Sequence, residues 1–222
     1  MSGDFCLKCG GSWAGAGDCL ACRDLAKGLV QFYSGTATWS KTYMSPSNHS
    51  LRIHPHPDLK KVAETDYDEG TDKYLSVYLD SNGTMNERKG VAIAANQTGR
   101  TGRWWVMKVP GGSEVIANAT IDLLGPFKLM DEGCLSFPGQ YAKVKRSERV
   151  RVSGIRLDLD TLVSSEFGEI WEGQDAQVAQ HENDHLNGKC FIDHLGSAER
   201  SRIKGELARL KKMNLVMPWL QG

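Results

Sequence analysis

Alternating hydrophobic and polar positions predict strands in the middle of the chain. The β-prone run 104–109 (WWVMKV) is followed by a second at 113–118 (SEVIAN), and Pro110-Gly111-Gly112 between them is typical of a turn. Between residues 150 and 159, apolar side chains alternate with polar ones. The alternation changes phase at Gly154, which predicts a β-bulge there.

Two later segments have helical rather than strand periodicity. Residues 173–187 predict a helix that Gly188 ends. Residues 197–213 predict a second helix, and its apolar face carries Ile203, Leu207 and Leu210. Strands followed by segregated helices favour an α+β fold over a doubly wound sheet.

The apolar face of the first helix contains residues that a core does not normally hold. Four residues share one stripe at spacings of i, i+3, i+4 and i+7: Val178, His181, Glu182 and His185. The other side carries Gln177, Gln180, Asn183, Asp184 and Asn187. Burying unpaired imidazole and carboxylate groups costs several kcal/mol each, roughly, so these groups need a partner. Two histidines one helical turn apart can bind one metal ion, and the glutamate between them can act on a metal-bound water, which indicates a metal-dependent hydrolase.

A catalytic ion needs a third protein ligand, and the residues leave the choice open. The metzincin pattern fails because Phe191 stands where its third histidine would be. Glu206 lies at the distance of a thermolysin-like third ligand, although a glutamate on an amphipathic helix is more often solvated. Cys134, flanked by glycine and acidic residues, offers a thiolate, which binds zinc or ferrous iron strongly.

Composition narrows the class of protein. The chain has 222 residues, of which 40% are hydrophobic and 24% are charged, as in an ordinary globular protein. Its formal net charge of zero argues against a broad basic surface for nucleic acid. No apolar run is long enough to span a bilayer, and the first residues lack a signal-peptide pattern. We therefore expect a cytoplasmic monomer without a membrane partner.

Four of the six cysteines fall in the first 22 residues as two CxxC pairs: Cys6, Cys9, Cys19 and Cys22. In a reducing compartment this pattern predicts a structural Zn²⁺ site. We assign residues 1–33 to a zinc knuckle, the Ser- and Thr-rich residues 34–50 to a linker, and residues 51–222 to a catalytic domain. The knuckle is expected to contact protein or nucleic acid, or to stabilise this end of the chain.

Three motifs in order resemble those of peptide deformylase. GVAIAANQ at 90–97 is similar to the first family motif, EGCLS at 132–136 to the second, and QHENDH at 180–185 to the third. Residues 51–66 also resemble the opening segment of the family, so that the resemblance covers roughly residues 51–212. The chain departs from the family pattern at Ala92, which replaces a glycine, and at Ala119, where a proline is usual.

The resemblance implies a deformylase fold, in which antiparallel sheets surround the helix with the HExxH pattern and a C-terminal helix follows. It also implies that one divalent metal, Fe²⁺ or in its place Zn²⁺ or Ni²⁺, is bound by Cys134, His181 and His185. Glu182 would take a proton from the attacking water and later give one to the departing amine. The side-chain amide of Gln97 and the backbone N–H of Leu135 would stabilise the developing oxyanion.

Further residues within or near the motifs receive supporting roles. Gly90, Val91 and Gly133 are expected to contact the peptide substrate. Glu132 either pairs with Arg146 to hold the Cys134 loop or forms a surface ion pair with it. Asp184 either braces a neighbour or is solvated, and three histidines are expected to be solvated rather than to bind metal: His54, His56 and His194.

The implied substrates are nascent chains that begin with formyl-Met. The ribosome is a hypothetical partner, which rests only on the charge of the C-terminal helix: Arg200, Arg202, Lys204, Arg209, Lys211 and Lys212. Two alternatives remain at this point. One is a zinc peptidase that uses Glu206, and the other is a non-catalytic adaptor in which both metal sites are structural.

Overall fold

The structure, a computed structural model, describes residues 51–64 and 75–212. The predicted zinc knuckle (1–33) and linker (34–50) lie outside the described residues, as does the C-terminal end of the predicted catalytic domain.

Seven strands in the described part of the chain form two antiparallel sheets. The larger sheet has the strand order β1-β2-β3-β6-β7 and the smaller one pairs β4 with β5. The bounds are Ala92–Ala94 (β1), Trp104–Val109 (β2), Gly112–Leu123 (β3), Phe127–Gly133 (β4), Tyr141–Ser147 (β5), Arg149–Asp158 (β6) and Ser164–Glu172 (β7). With the helices below, this arrangement confirms the predicted α+β class.

Strand β2 coincides with the predicted run 104–109, whereas β3 extends beyond its predicted end at residue 118 as far as Leu123. The second half of β3 also alternates apolar and polar side chains (ATIDL at 119–123), so the prediction stopped five residues short of the end of the strand. This second half is a strand because its backbone pairs with β6, with Ile121 opposite Val152.

The bulge predicted at Gly154 lies at that level of the sheet, but its extra residue belongs to the partner strand. Ala117 pairs with Ile155 and Thr120 with Ser153, so that β3 has two residues opposite Gly154 alone. A Cβ on Gly154 would lie 2.7 Å from the carbonyl oxygen of Ala117. Glycine at this position therefore makes room for the backbone of β3.

Three α-helices accompany the sheets in the described ranges: Leu75–Glu87 (α1), Gly173–Leu186 (α2) and Ser197–Lys212 (α3). Helix α2 matches the predicted helix closely, and Gly188 follows it with φ of 68°. Helix α3 buries Ile203 and Leu207, as its periodicity predicts. No helix among the described residues is both long and apolar enough to cross a bilayer.

Helix α2 is covered by strands on more than one of its sides. It packs against β1, β3, β5, β6 and β7. The side chain of Gln180, on the side of the helix opposite the His181 stripe, is buried and bonds both the backbone N–H and the carbonyl of Ser147. Both sides of α2 are therefore covered, which holds its histidines in a fixed position.

Candidate metal centre

Three side chains from separate parts of the sequence converge at one point. One ligand atom from each of Cys134, His181 and His185 can be chosen such that all three lie within 4.8 Å of one another. Tetrahedral zinc has bonds of about 2.0 to 2.3 Å, which places its ligands about 3.3 to 3.8 Å apart. A thiol and two imidazoles at this spacing fit a divalent cation of the zinc or ferrous iron kind.

The two histidines are placed by α2 and the cysteine by the hairpin β4–β5. The His181 and His185 rings project from successive turns, with centroids 5.0 Å apart. Cys134 comes directly after β4, which ends at Gly133. A Cβ on Gly133 would lie 2.6 Å from the ring of Tyr141 on the paired strand. The glycine therefore lets the two strands close beside the cysteine.

The hydrogen bonds of the two imidazoles determine which nitrogen faces the cation. Nδ1 of His181 lies 2.9 Å from Oε2 of Glu132, so its Nε2 is available as a ligand. Nε2 of His185 lies 3.2 Å from Sγ of Cys134. The buried Nδ1 of His185 has no hydrogen-bond partner among the described residues. Both rings thus direct Nε2 towards the centre.

The surroundings shift the pKa values of the two histidines in opposite directions. Burial by itself would lower the pKa of His181, but its hydrogen bonds to Cys134 and Glu132 outweigh burial and raise it. Burial, together with the nearby charge of His181, lowers the pKa of His185. Neutral imidazole is the form that binds a metal, so His185 is already in the required state.

Glu132 joins His181 to a buried ion-pair network. Arg146 donates from Nε to Oε1 of Glu132 at 2.6 Å and from Nη2 to Oε2 at 3.1 Å. Its Nη1 donates to Oδ2 of Asp184 at 2.7 Å. The Glu132 and Arg146 side chains are only 3% and 4% exposed, so the alternative of a surface ion pair is wrong. Asp184 braces Arg146 and is not a solvated helix charge.

Glu182 lies on the wall of the same cleft, nearly buried. Its burial, opposed by His181 and reinforced by Glu132, raises the pKa of this carboxyl group to about 7. One of its oxygens, Oε2, has no hydrogen-bond partner among the described residues. A carboxyl group with this pKa can both accept and donate a proton near neutral pH.

Gln97 reaches the thiol from the other side. Its Nε2 lies 3.4 Å from Sγ of Cys134 and 3.1 Å from Oγ of Ser136, and its Oε1 accepts a hydrogen bond from the backbone N–H of Ala94 at 2.8 Å. Ser136 is a partner that the sequence reasoning missed, although it is part of the EGCLS motif. These bonds fix the amide with its donor side towards the centre.

The cleft above these groups has a volume of about 350 Å³. The residues predicted to contact substrate line it, together with others: Gly90, Val91, Gly133, Leu135, Gln174 and Val178. A Cβ on Gly90 would lie 2.7 Å from Cδ1 of Leu135. The lack of a side chain at Gly90 therefore makes room for Leu135 in the cleft wall.

The other candidate ligands are not part of the centre. Glu206 forms an ion pair with Arg209 on α3, which contradicts the peptidase alternative. Neither His54 nor His194 belongs to the group of metal-ligating residues, as expected. His194 is exposed but bonds Asp184, whereas His54 is half-buried and stacks on Phe137, so that it is less solvated than expected. Asn96, which was given no role, donates its side-chain amide to the carbonyl of His185.

The sequence of this chain is similar to those of known proteins. The sequence model of the polypeptide deformylase family matches residues 49–201. The chain belongs to the peptide deformylase family. A peptide deformylase of Thermotoga petrophila is 33% identical over 162 residues, which are 72% of this chain and 94% of that protein.

Solved structures of peptide deformylases are similar to the structure of this chain. The crystal structure of a peptide deformylase from Legionella pneumophila matches with a TM-score of 0.69 at 31% identity, and covers 78% of this chain and 100% of that one. The Ehrlichia chaffeensis deformylase in complex with actinonin matches with a TM-score of 0.65 at 28% identity, over 72% of this chain and 95% of that one. Peptide deformylases are metallo-hydrolases that remove the N-formyl group from nascent polypeptides, so the predicted reaction is confirmed at the level of the family.

Proposed function

We propose that this chain removes the formyl group from peptides that begin with formyl-Met, and that Cys134, His181 and His185 hold its catalytic ion. The observation that carries the proposal is the convergence of these three ligands within 4.8 Å at a cleft that Glu182 and Gln97 also line. Fe²⁺ is the proposed physiological ion, and Zn²⁺ or Ni²⁺ can substitute, because a thiolate with two imidazoles suits each of them.

An ion held by Cys134, His181 and His185 would supply Lewis acidity to a water and to the formyl carbonyl. The remaining work falls to side chains of this chain. The Glu182 carboxylate accepts a proton from the attacking water and passes it to the amine nitrogen as the bond between nitrogen and the formyl carbon breaks. The products are formate and a peptide with a free N-terminal amine.

Gln97 and Leu135 are the proposed oxyanion donors. The Gln97 amide is held by Ala94 and Ser136 with Nε2 beside Cys134, so it needs no reorganisation when negative charge develops on the formyl oxygen. The backbone N–H of Leu135 follows Cys134 directly in the cleft wall. Gly90, Val91 and Gly133 line the same cleft and are proposed to contact the backbone of the peptide.

Formate release from a formyl-Met tripeptide by protein loaded anaerobically with Fe²⁺, or with Ni²⁺, tests the proposal. Glu182→Gln should abolish formate release while metal remains bound. Cys134→Ala should lose both metal and activity. Glu206→Gln is the matched control and should behave like the wild type. Wild-type protein that releases no more formate than Glu182→Gln would falsify the proposal.

The remaining proposals concern the rest of the chain. Residues 1–33 are proposed to form a structural zinc knuckle, residues 34–50 a linker, and residues 51–222 the catalytic domain, in agreement with a family match that begins at residue 49. Metal analysis of the full chain should find about one zinc more per chain than in a variant with Cys6 and Cys9 replaced by serine. Equal zinc content in the two proteins would refute the knuckle.

We also propose that the protein acts in the cytoplasm, where nascent polypeptides are made, and that it is a monomer. Light scattering of the purified chain tests the oligomeric state. Ribosome binding through α3 rests on exposed cations such as Arg202 and Lys204. Co-sedimentation with ribosomes that weakens as salt rises would support it, whereas salt-independent or absent sedimentation would contradict it.

A further inference from the structure

The short helical turn Phe191–His194 folds back onto the metal-binding helix at two points. The ring of Phe191 stacks on that of His181, with centroids 6.4 Å apart and planes inclined by 23°. Nε2 of His194 lies 2.6 Å from Oδ2 of Asp184. Phe191 occupies the position where the metzincin pattern would need a histidine ligand. Here this segment therefore supports the ligands and supplies none.

His194 is the outermost member of a continuous hydrogen-bonded chain. Asp184 accepts from His194 and also from Nη1 of Arg146, at 2.7 Å. Arg146 holds both oxygens of Glu132, and Oε2 of Glu132 lies 2.9 Å from Nδ1 of His181. Four contacts thus connect His194 to a metal ligand, and Nη1 of Arg146 also lies 3.4 Å from Nε2 of His194 itself.

The chemistry of these groups sets the direction of each bond. The Asp184 carboxylate, which lies 2.7 Å from Nη1 of Arg146, accepts hydrogen bonds and donates none. Nε2 of His194 therefore carries the proton that it shares with Asp184. Arg146 likewise only donates, to Asp184 on one side and to Glu132 on the other. The two carboxylates of this hydrogen-bonded series, Asp184 and Glu132, thus each lie between two donors.

Exposure decreases along this chain from the surface inwards. The side chains of His194, Asp184 and Arg146 are 34%, 15% and 4% exposed. Without His194, the Asp184 carboxylate loses one of its two side-chain donors, keeps Arg146 and becomes more exposed to water. Arg146 is then held less firmly, which weakens its hydrogen bonds to Glu132. Glu132 in turn orients the His181 ring less strictly.

We infer that His194 is a positioning residue of the metal centre, which acts through Asp184, Arg146 and Glu132 on His181. The inference rests on the proposed function of Cys134, His181 and His185 as metal ligands. Groups that orient metal ligands from outside typically contribute about 10- to 100-fold to metal affinity or activity. Because His194 reaches the ligand only through other side chains, at the least Arg146 and Glu132, we expect the lower end of that range, about tenfold.

The test is Co²⁺ affinity measured against a competing chelator, with the full-length protein and its thiolate-to-Co²⁺ absorption as the signal. Cys134→Ala supplies the background from cysteines outside the centre. His194→Ala should weaken Co²⁺ binding about tenfold. His194→Gln should restore most of it, since its amide nitrogen can replace Nε2 as the donor to Asp184. His56→Ala, which removes another half-exposed histidine beside an aspartate, should leave the affinity unchanged.

Kinetics provide a second measurement on the same variants. At subsaturating metal, His194→Ala should release formate more slowly, with KM for the peptide unchanged, because His194 does not line the cleft. A Co²⁺ affinity of His194→Ala equal to that of His56→Ala, or no rescue by His194→Gln, would overturn the inference. Tight Co²⁺ binding without any formate release would instead count against the proposed reaction and leave the role of His194 in place.

Discussion

Oε2 of Glu132 lies 2.9 Å from Nδ1 of His181. Glu132 itself precedes Cys134, which faces the same centre, by two residues. The strand that delivers the Cys134 thiol therefore also fixes the ring of a histidine on α2. Burial alone would raise the pKa of Glu132, but hydrogen bonds from His181 and Arg146 lower it to about 2. The carboxylate thus stays ionised across the working pH range and keeps its hold on the imidazole.

Arg146→Met should destabilise the fold strongly. It leaves the buried carboxylates of Glu132 and Asp184 without their main cationic partner, and breaking a buried pair in this way costs about 3–5 kcal/mol. Urea unfolding followed by circular dichroism measures the free energy. Lys143→Met is the control because its ion pair with Asp131 is exposed, and it should cost less than about 1 kcal/mol. Similar losses in the two variants would contradict the buried network.

Gln97→Glu should lower kcat for formyl-Met peptides by about a hundredfold or more, since it removes one of the two proposed oxyanion donors and adds a negative charge. The variant keeps Oε1 as the acceptor for Ala94, so the local backbone should be preserved. Gln174→Glu makes the same chemical change elsewhere in the cleft and should have little effect on kcat. A similar loss in both variants would indicate a general charge effect on the cleft rather than a specific donor.

Gly154→Ala and Gly205→Ala should change stability in opposite directions. A Cβ at Gly154 meets the backbone of Ala117 and Ala119 across the bulge, and such overpacking costs about 1–3 kcal/mol. A Cβ at Gly205, exposed on α3, meets nothing within 4 Å, and the better helix propensity of alanine should add about 0.5–1 kcal/mol. Thermal and urea unfolding of both variants measure this, and a stabilised Gly154→Ala would refute the described bulge.

Acid should destabilise the fold in part through His54. Burial, together with Lys204 and Lys60, lowers the pKa of this histidine to about 4, whereas the unfolded chain titrates near 6.5. Protons therefore bind the unfolded state first, so that stability is lost as pH falls from about 6.5 to about 4 and is level below.

His54→Phe removes this titration and keeps an aromatic ring beside Phe137. Urea unfolding of the wild type and of this variant at pH 7, 6 and 5 isolates the contribution of His54, because other titrations cancel in the difference. The wild type should lose stability relative to the variant as the pH falls. Parallel curves for the two proteins would contradict the lowered pKa.

Periodicity predicted α2 and α3 well, because each carries buried residues at helical spacing. It predicted β2 well because this strand is a short β-prone run followed by a turn. It did not predict α1, in which buried Ser81 and Thr84 interrupt the apolar pattern. The prediction also ended β3 at residue 118, although the alternation of apolar and polar residues continues to Leu123.

The sequence by itself determined that His181, Glu182 and His185 share one helical stripe, because 3.6 residues per turn fix that relationship locally. It also carried the three motifs of the family. The residues alone left Cys134 and Glu206 open as third ligands and the family resemblance favoured Cys134, but only the tertiary structure brings Cys134, and not Glu206, beside the histidines. It also decided that Arg146 and His194 extend the network, since these contacts span up to 51 positions and depend on how β4–β5 packs on α2. Residues so far apart in sequence come into contact only through the packing of strands and helices, which local sequence patterns do not specify.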